Sequence, residues 1–236
     1  MGIKLKLNQE YQEIGSKILF TKESLKFFED LKQNNHTEWF KNNKLRYDEH
    51  VKKPLIRFTE ILIEEFKKIE PNYQAKPQDC IFRINRDIRF SKNKNPYKEF
   101  AGAYFCIAGK GSELPGLYIE FSNDYFAVAG GIYNPSKEVL KTLRYEIAGN
   151  LEVFQSIIYN PTFIEYTGGL ARVEQNKILD KFLKPFIEKE PSILNKHFYF
   201  WKLLPPEILL SEQLISTVQK IWEVSIPLYK FLKDIF

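Results

Sequence analysis

Cysteine is nearly absent: Cys80 and Cys106 are the only two in 236 residues, too few for a disulfide framework. Neither stands in a C-x-x-C or Cys/His spacing, so no zinc site is indicated and no metal or other cofactor is expected. His36, His50 and His197 are scattered without ligand spacing or a companion nucleophile motif, which makes them surface or capping residues. Apolar residues form 44% of the chain, yet no window approaches the unbroken apolar length of a spanning helix. The N-terminus, MGIKLKLNQEYQEIG, lacks the apolar stretch of a signal peptide. These absences lead to the expectation of a soluble, cytoplasmic protein with no membrane partner. The segment GKGSELPG has Gly where Ser or Thr must follow Lys110, and no glycine at the required upstream position, so it is not a phosphate loop. Internal repeats and low-complexity segments are also missing.

What is present is a localised charge. Between Arg83 and Lys98 the run RINRDIRFSKNKNPYK carries Arg83, Arg86, Arg89, Lys92, Lys94 and Lys98 against Asp87 alone, a net +5 that equals the net charge of the whole chain. The remaining residues balance at 29 basic and 29 acidic, being 35 less six and 30 less one. One compact site that faces something anionic is the consequence. A weaker excess, Lys41, Lys44, Arg46, Lys52, Lys53 and Arg57 against Asp48 and Glu49, lies between Trp39 and Phe58. It enlarges the basic surface if the two segments meet.

The periodicity sorts the chain into one α+β domain over 1–236: a helical part at about 20–70, a sheet-forming part at about 78–133 and a mainly helical part at about 134–236. Ser24 precedes LKFFEDLKQN, with Leu25, Phe28 and Leu31 at helical spacing, and a second apolar set follows in Trp39, Phe40, Tyr47 and Val51. Pro54 suits the first turn of a helix whose stripe is Leu55, Phe58, Leu62 and Phe66. The period then changes. From Ile81 to Phe90 the pattern alternates, with Phe82, Ile84, Ile88 and Phe90 on one face and Arg83, Asn85, Asp87 and Arg89 on the other. EFAGAYFCIAG, GLYIEF and YFAVAGG read as three further strands, and an antiparallel sheet is the economical arrangement. Asn134 with Pro135 suits the start of a helix buried through Val139, Leu140, Leu143 and Ile147. Beyond it LDKFLKPFIEKE and LSEQLISTVQKIWEV read as helices, with a short strand near FIEYTGG.

Along a strand, same-face neighbours two residues apart lie ~6.6 Å apart, so Asp87 has Arg89 beside it and Arg83 within reach. Both favour its carboxylate form, which suits Asp87 to orienting arginines better than to general-base work. Arg86 falls on the apolar face and must find an acceptor if buried. Two partners fit: a structural Glu or backbone carbonyl, or the phosphate or carboxylate of a ligand. The tail SKNKNPYK reads as a turn from which Lys94 and Lys98 can close over an anion. Gly130 and Gly131, just before a helix start, mark either a second set of anion-facing N–H groups or a bulge or close packing contact.

The pattern R-x-x-R-D-x-R-F-x-x-x-K-x-P-Y, formed by Arg83, Arg86, Asp87, Arg89, Phe90, Lys94, Pro96 and Tyr97, resembles the signature of a mainly bacterial family catalogued as domain of unknown function 2461. Asn35, Trp39, Phe40 and Tyr47 resemble its N-terminal helical pattern, and Gly130, Gly131, Pro135, Leu140 and Arg144 its glycine-to-helix step. The C-terminal third lacks the Pro-Lys-Gly-Phe-like stretch of that family. The resemblance implies no particular reaction, and no catalytic residue is assigned. The residues themselves give an anion site of Arg83, Arg86, Asp87, Arg89, Lys94, Tyr97, Lys98, Gly130 and Gly131 for a small phosphorylated or carboxylated ligand. Two rivals stand beside it. One is nucleic-acid binding, which would also use the Trp39 to Phe58 cations; the other is an ion-pair network that holds the fold of an interaction protein.

Overall fold

The computed structural model describes residues 18–175 and 180–236. The segment read for a leader, and Leu179 of the expected LDKFLKPFIEKE helix, lie outside them. Helix α1, Lys22–Gln33, starts three residues before Leu25 because the Thr21 N–H donates to Ser24 Oγ at 3.0 Å, which fixes the first turn. Helix α2, Thr37–Asn42, is capped by His36, whose Nδ1 accepts the Trp39 N–H at 3.4 Å. Helix α3, Lys44–Tyr47, runs through one π turn at Asp48–Lys52 into α4, Lys53–Ile69, with Pro54 in its first turn as expected. The stripe Leu55, Phe58, Leu62 and Phe66 is buried along its whole length. A short α5 follows at Pro77–Cys80.

Among the described residues, four strands form one antiparallel sheet in sequence order: β1 Ala101–Phe105, β2 Gly116–Phe121, β3 Phe126–Ile132 and β4 Phe198–Leu204. Three of them lie where the apolar runs placed them. β4 does not, since the C-terminal part was read as helical, and FIEYTGG is helical instead of extended. There Asn160 Oδ1 accepts the Thr162 and Phe163 N–H groups at 2.9 and 3.2 Å and opens α8, Pro161–Thr167. The preceding helices are α6, Lys137–Gly149, and α7, Leu151–Ile158. The cap of α6 is Ser136, which accepts the Val139 N–H at 3.3 Å, while Asn134 stands outside the helix with φ of 54°. Helices α9, Lys184–Lys189, and α10, Leu214–Lys233, complete the helical set. No helix among the described residues is long and apolar enough to cross a membrane.

Contacts divide the chain into two compact units. The first takes the chain up to Tyr104 with Ile119–Ala127 and Leu203–Gln219; the second takes Phe105–Tyr118, Val128–Lys202 and Lys220–Phe236. The first is built on phenylalanine: Phe20 meets Phe58 and Phe121 at 5.8 and 4.8 Å between ring centres, and Phe28 meets Phe121 at 5.7 Å, all edge to face. In the second, Phe105 packs on Trp222 at 5.0 Å and Phe154 on Phe231 at 5.3 Å.

Arg144 joins α6 to the 3-10 turn at Pro191–Leu194. It donates from Nε to Ile193 O at 2.8 Å and from Nη2 to Leu194 O and Asn195 O at 3.3 and 3.1 Å. Those carbonyls end a helical turn and have no partner within it, so a cation there satisfies both the hydrogen bonds and the dipole. Replacing Arg144 by Met, which keeps most of the volume, is expected to cost about 1.5–3 kcal/mol in urea unfolding. A change below about 0.5 kcal/mol would mean that water takes over the carbonyls without penalty.

Candidate functional site

The Arg83–Lys98 run is extended only in part. Ile81 and Asn85 form isolated antiparallel bridges to Ala103 and Tyr97. The Phe82, Arg86 and Lys98 N–H groups donate to the Gly102, Pro96 and Ile84 carbonyls at 3.0, 2.8 and 2.8 Å. The strand expected over Ile81–Phe90 therefore does not form. The segment turns back on itself as an irregular hairpin, and the reason lies in its own polar side chains. Lys94 Nζ donates to Ile88 O at 3.0 Å and Arg86 Nη1 to Asn95 O at 3.2 Å, while Asn93 Oδ1 accepts the Asn95 N–H at 2.8 Å in an Asx turn. Carbonyls that a ladder would use are taken within the loop. The apolar face ends accordingly: Ile84 is buried, Phe82 and Ile88 are half-buried, and Phe90 is 96% exposed.

Asp87 is an organiser, as its neighbours suggested. Arg89 Nε and Nη2 grip its two oxygens at 3.0 and 2.6 Å, and the Arg89 N–H adds a third bond at 3.2 Å. The Arg89 side chain, then its N–H, then the charge of Arg83 hold the Asp87 carboxyl below the ordinary aspartate range. Arg86 behaves differently. Its second bond runs from Nη2 to Ser91 Oγ at 3.4 Å, and no carboxylate of the described residues lies within ion-pair distance of it.

Tyr97 anchors the far side of the hairpin. Its ring is buried and stacks on Phe40 at 4.0 Å and 16°. Its backbone is read by one carboxamide, with Asn35 Nδ2 donating to Tyr97 O at 3.0 Å and the Tyr97 N–H donating to Asn35 Oδ1 at 3.1 Å. Asn35 Nδ2 also reaches Glu99 Oε1 at 3.2 Å, where Asn95 Nδ2 arrives at 3.4 Å. The turn between α1 and α2 is thus tied to the hairpin by side-chain imitation of a strand partner.

These residues enclose an open pocket of about 460 Å³ lined by Arg86, Asp87, Asn93, Tyr97, Lys98, Glu99 and Phe100. Lys98 Nζ lies over the Phe82 and Phe100 rings at 5.1 and 5.7 Å. Of the expected site residues, Arg86, Asp87, Tyr97 and Lys98 line it. Arg83, Arg89 and Lys94 belong to the same hairpin but not to the lining. Gly130 and Gly131 lie in the second unit, inside β3, and the bulge or packing reading describes them. An added Cβ on Gly130 would stand 2.7 Å from Leu117 Cδ2 and Phe200 Cε1, and one on Gly131 2.2 Å from Phe198 O. Sequence reasoning stopped at the last basic residue and so missed Glu99 and Phe100. The signal available was Glu99 itself, the first carboxylate after the run.

The second basic stretch is largely neutralised within the first unit. Lys44 pairs with Asp48, Arg46 with Glu23 and Asp30, Lys53 with Glu49 and Arg57 with Glu60. Among the described residues no group of three or more His, Cys, Asp or Glu is placed to hold a metal ion.

Helices packed with an antiparallel sheet, and a pocket of charged and aromatic residues at the signature hairpin, define an α+β protein with a concave site. The chain belongs to the family described as "Conserved hypothetical protein (DUF2461)", which matches residues 23–231. Comparison with curated proteins gives no match.

Proposed function

We propose that the hairpin pocket binds a small ligand bearing a phosphate or carboxylate, with Arg86 as its principal contact. The observation that carries this reading is the state of Arg86. A half-buried arginine lines the pocket, and among the described residues it makes only two long side-chain bonds to neutral acceptors and has no counter-charge within 4.0 Å. A partly desolvated cation without a counter-ion is costly, and an anion that takes its remaining donors removes that cost. Asp87 does not quench Arg86, because Arg89 already occupies both of its oxygens. Of the two partners that the structural reading allowed, Arg86 has the backbone carbonyl, Asn95 O, but no carboxylate among the described residues, so the ion pair of the fold-holding rival is not formed at this residue. In the Trp39 to Phe58 stretch Lys44, Arg46, Lys53 and Arg57 are paired with carboxylates, which weakens the nucleic-acid reading.

Thermal shift at low and moderate salt tests the proposal, with inorganic phosphate, short carboxylates, nucleotides and a short oligonucleotide as probes. A fitting small anion at about 100 times its Kd is expected to stabilise the protein by roughly 2.7 kcal/mol. For a chain of this length that corresponds to a rise in Tm of several degrees. The rise should vanish in Arg86→Gln, shrink in Arg89→Ala, which frees Asp87 to quench Arg86, and persist in Arg57→Ala, which removes a cation outside the hairpin. Failure of every small anion to stabilise the wild type would overturn the proposal. Stabilisation by the oligonucleotide alone, collapsing with salt, would turn the reading to nucleic acid.

A further inference from the structure

We infer that the ligand of this pocket is a small zwitterion, whose acidic group meets Arg86 and whose ammonium meets Glu99; this rests on the anion reading and narrows it. Among the described residues four charged side chains line the pocket, Arg86 and Lys98 against Asp87 and Glu99, and these four balance despite the excess of the run that builds it. The four are not equivalent. Asp87 is gripped by Arg89 through both oxygens, and Lys98 sits over two aromatic rings. Arg86 and Glu99 each lack an opposite charge within 4.0 Å among the described residues, including one another.

Glu99 is half-buried, and its Oε1 is held only by the neutral amides of Asn35 and Asn95, at 3.2 and 3.4 Å. Lys32 acts on it only through space and is committed to Asp124 at 3.0 Å. A carboxylate fixed by two carboxamides is oriented without being neutralised, so it keeps its attraction for a cation. Had the pocket been built for a bare anion, Glu99 would repel it, and a like charge at close range is a means of rejecting wrong ligands. An isolated cation would be rejected by Arg86 in the same way. A molecule with both groups satisfies both side chains, while Phe100 offers apolar contact to the carbon frame between them. The open volume of about 460 Å³ is large enough to admit a free amino acid.

Calorimetry and thermal shift at fixed pH and salt, with matched pairs of probes, test the inference. The pairs are glutamate against glutarate, phenylalanine against 3-phenylpropionate, and phosphoethanolamine against ethyl phosphate; each differs by the ammonium. At least one zwitterion is expected to bind about tenfold or more tighter than its partner, a difference of about 1.4 kcal/mol. Glu99→Gln, which retains the Oε1 acceptor for Asn35 and Asn95, should abolish that preference and leave the ammonium-free probe bound as well as before or better. Equal binding within every pair, with Glu99→Gln without effect on the ratio, would overturn the zwitterion and leave the anion site standing. Binding of no probe from any pair would overturn both. The Tm of unliganded Glu99→Gln, expected to match wild type, separates lost recognition from lost folding.

Discussion

Gly131→Ala is expected to destabilise the second unit by about 3 kcal/mol or more. Two costs add there. The φ of Gly131 is 127°, a region that L side chains rarely occupy and that costs roughly 1–3 kcal/mol. The new Cβ would also stand 2.2 Å from Phe198 O and 2.7 Å from Tyr199 Cα, and these are backbone atoms of β4 that no rotamer change can move. Overpacking of this kind adds about 1–3 kcal/mol even where neighbours give way. Gly130→Ala is the graded comparison, because its Cβ meets the ends of side chains, Leu117 and Phe200, which can shift. Gly149→Ala is the control: it meets nothing within 4 Å and closes α6, so its effect should be small or stabilising. Urea unfolding followed by circular dichroism measures all three. A Gly131→Ala variant no less stable than Gly149→Ala would show that β3 and β4 are not held as close as their coordinates place them.

The glycine pair also marks where the sequence was legible and where it was not. Short apolar runs bounded by turn residues placed β1, β2 and β3, which are buried almost throughout, and the stripe Leu55, Phe58, Leu62 and Phe66 placed the long helix, whose period separates a dry face from a wet one. β4 escaped notice for the opposite reason. In FYFWKLL, Phe198 and Phe200 are buried while Tyr199 and Trp201 are not, so both faces carry aromatic rings and the period is hidden by composition. α8 escaped because Phe163, Ile164, Tyr166 and Thr167 favour strands, although Asn160 and Pro161 spell a helix start and Gly168 a left-handed stop with φ of 81°. The run from Ile81 to Phe90 failed in the reverse direction. Its alternation is real, but Arg86, Asn93 and Lys94 bond within the loop, so a second bridge at Asn85 is as far as the ladder goes. Charge counting found the hairpin, but a sum that stops at Lys98 cannot register that Glu99 lines the same pocket as Arg86.

Tyr97→Ala should cost the first unit about 3–5 kcal/mol, as removal of a buried aromatic ring does. The ring is 6% exposed and stacks on Phe40, which in turn meets Tyr47 at 5.3 Å and Phe27 at 6.2 Å, so its loss opens a cavity at the edge of an aromatic cluster. Burial in that cluster pushes the Tyr47 phenol up to about 12, a sign of how little water reaches it. The bonds between Asn35 and the Tyr97 backbone survive the substitution, so the loss measures packing. Tyr97→Phe keeps the stack and should cost less than about 1.5 kcal/mol, which leaves a folded protein that lacks only the phenol oxygen. Arg89→Ala sets the lower bound, since an exposed Arg on an exposed Asp contributes little to stability. The order Tyr97→Ala, then Tyr97→Phe, then Arg89→Ala is what a pocket standing on a packed wall requires. If Arg89→Ala instead unfolds the protein as readily as Tyr97→Ala, the Asp87 clamp is what holds the hairpin, and ligand losses in any variant of this loop would have to be read as losses of fold.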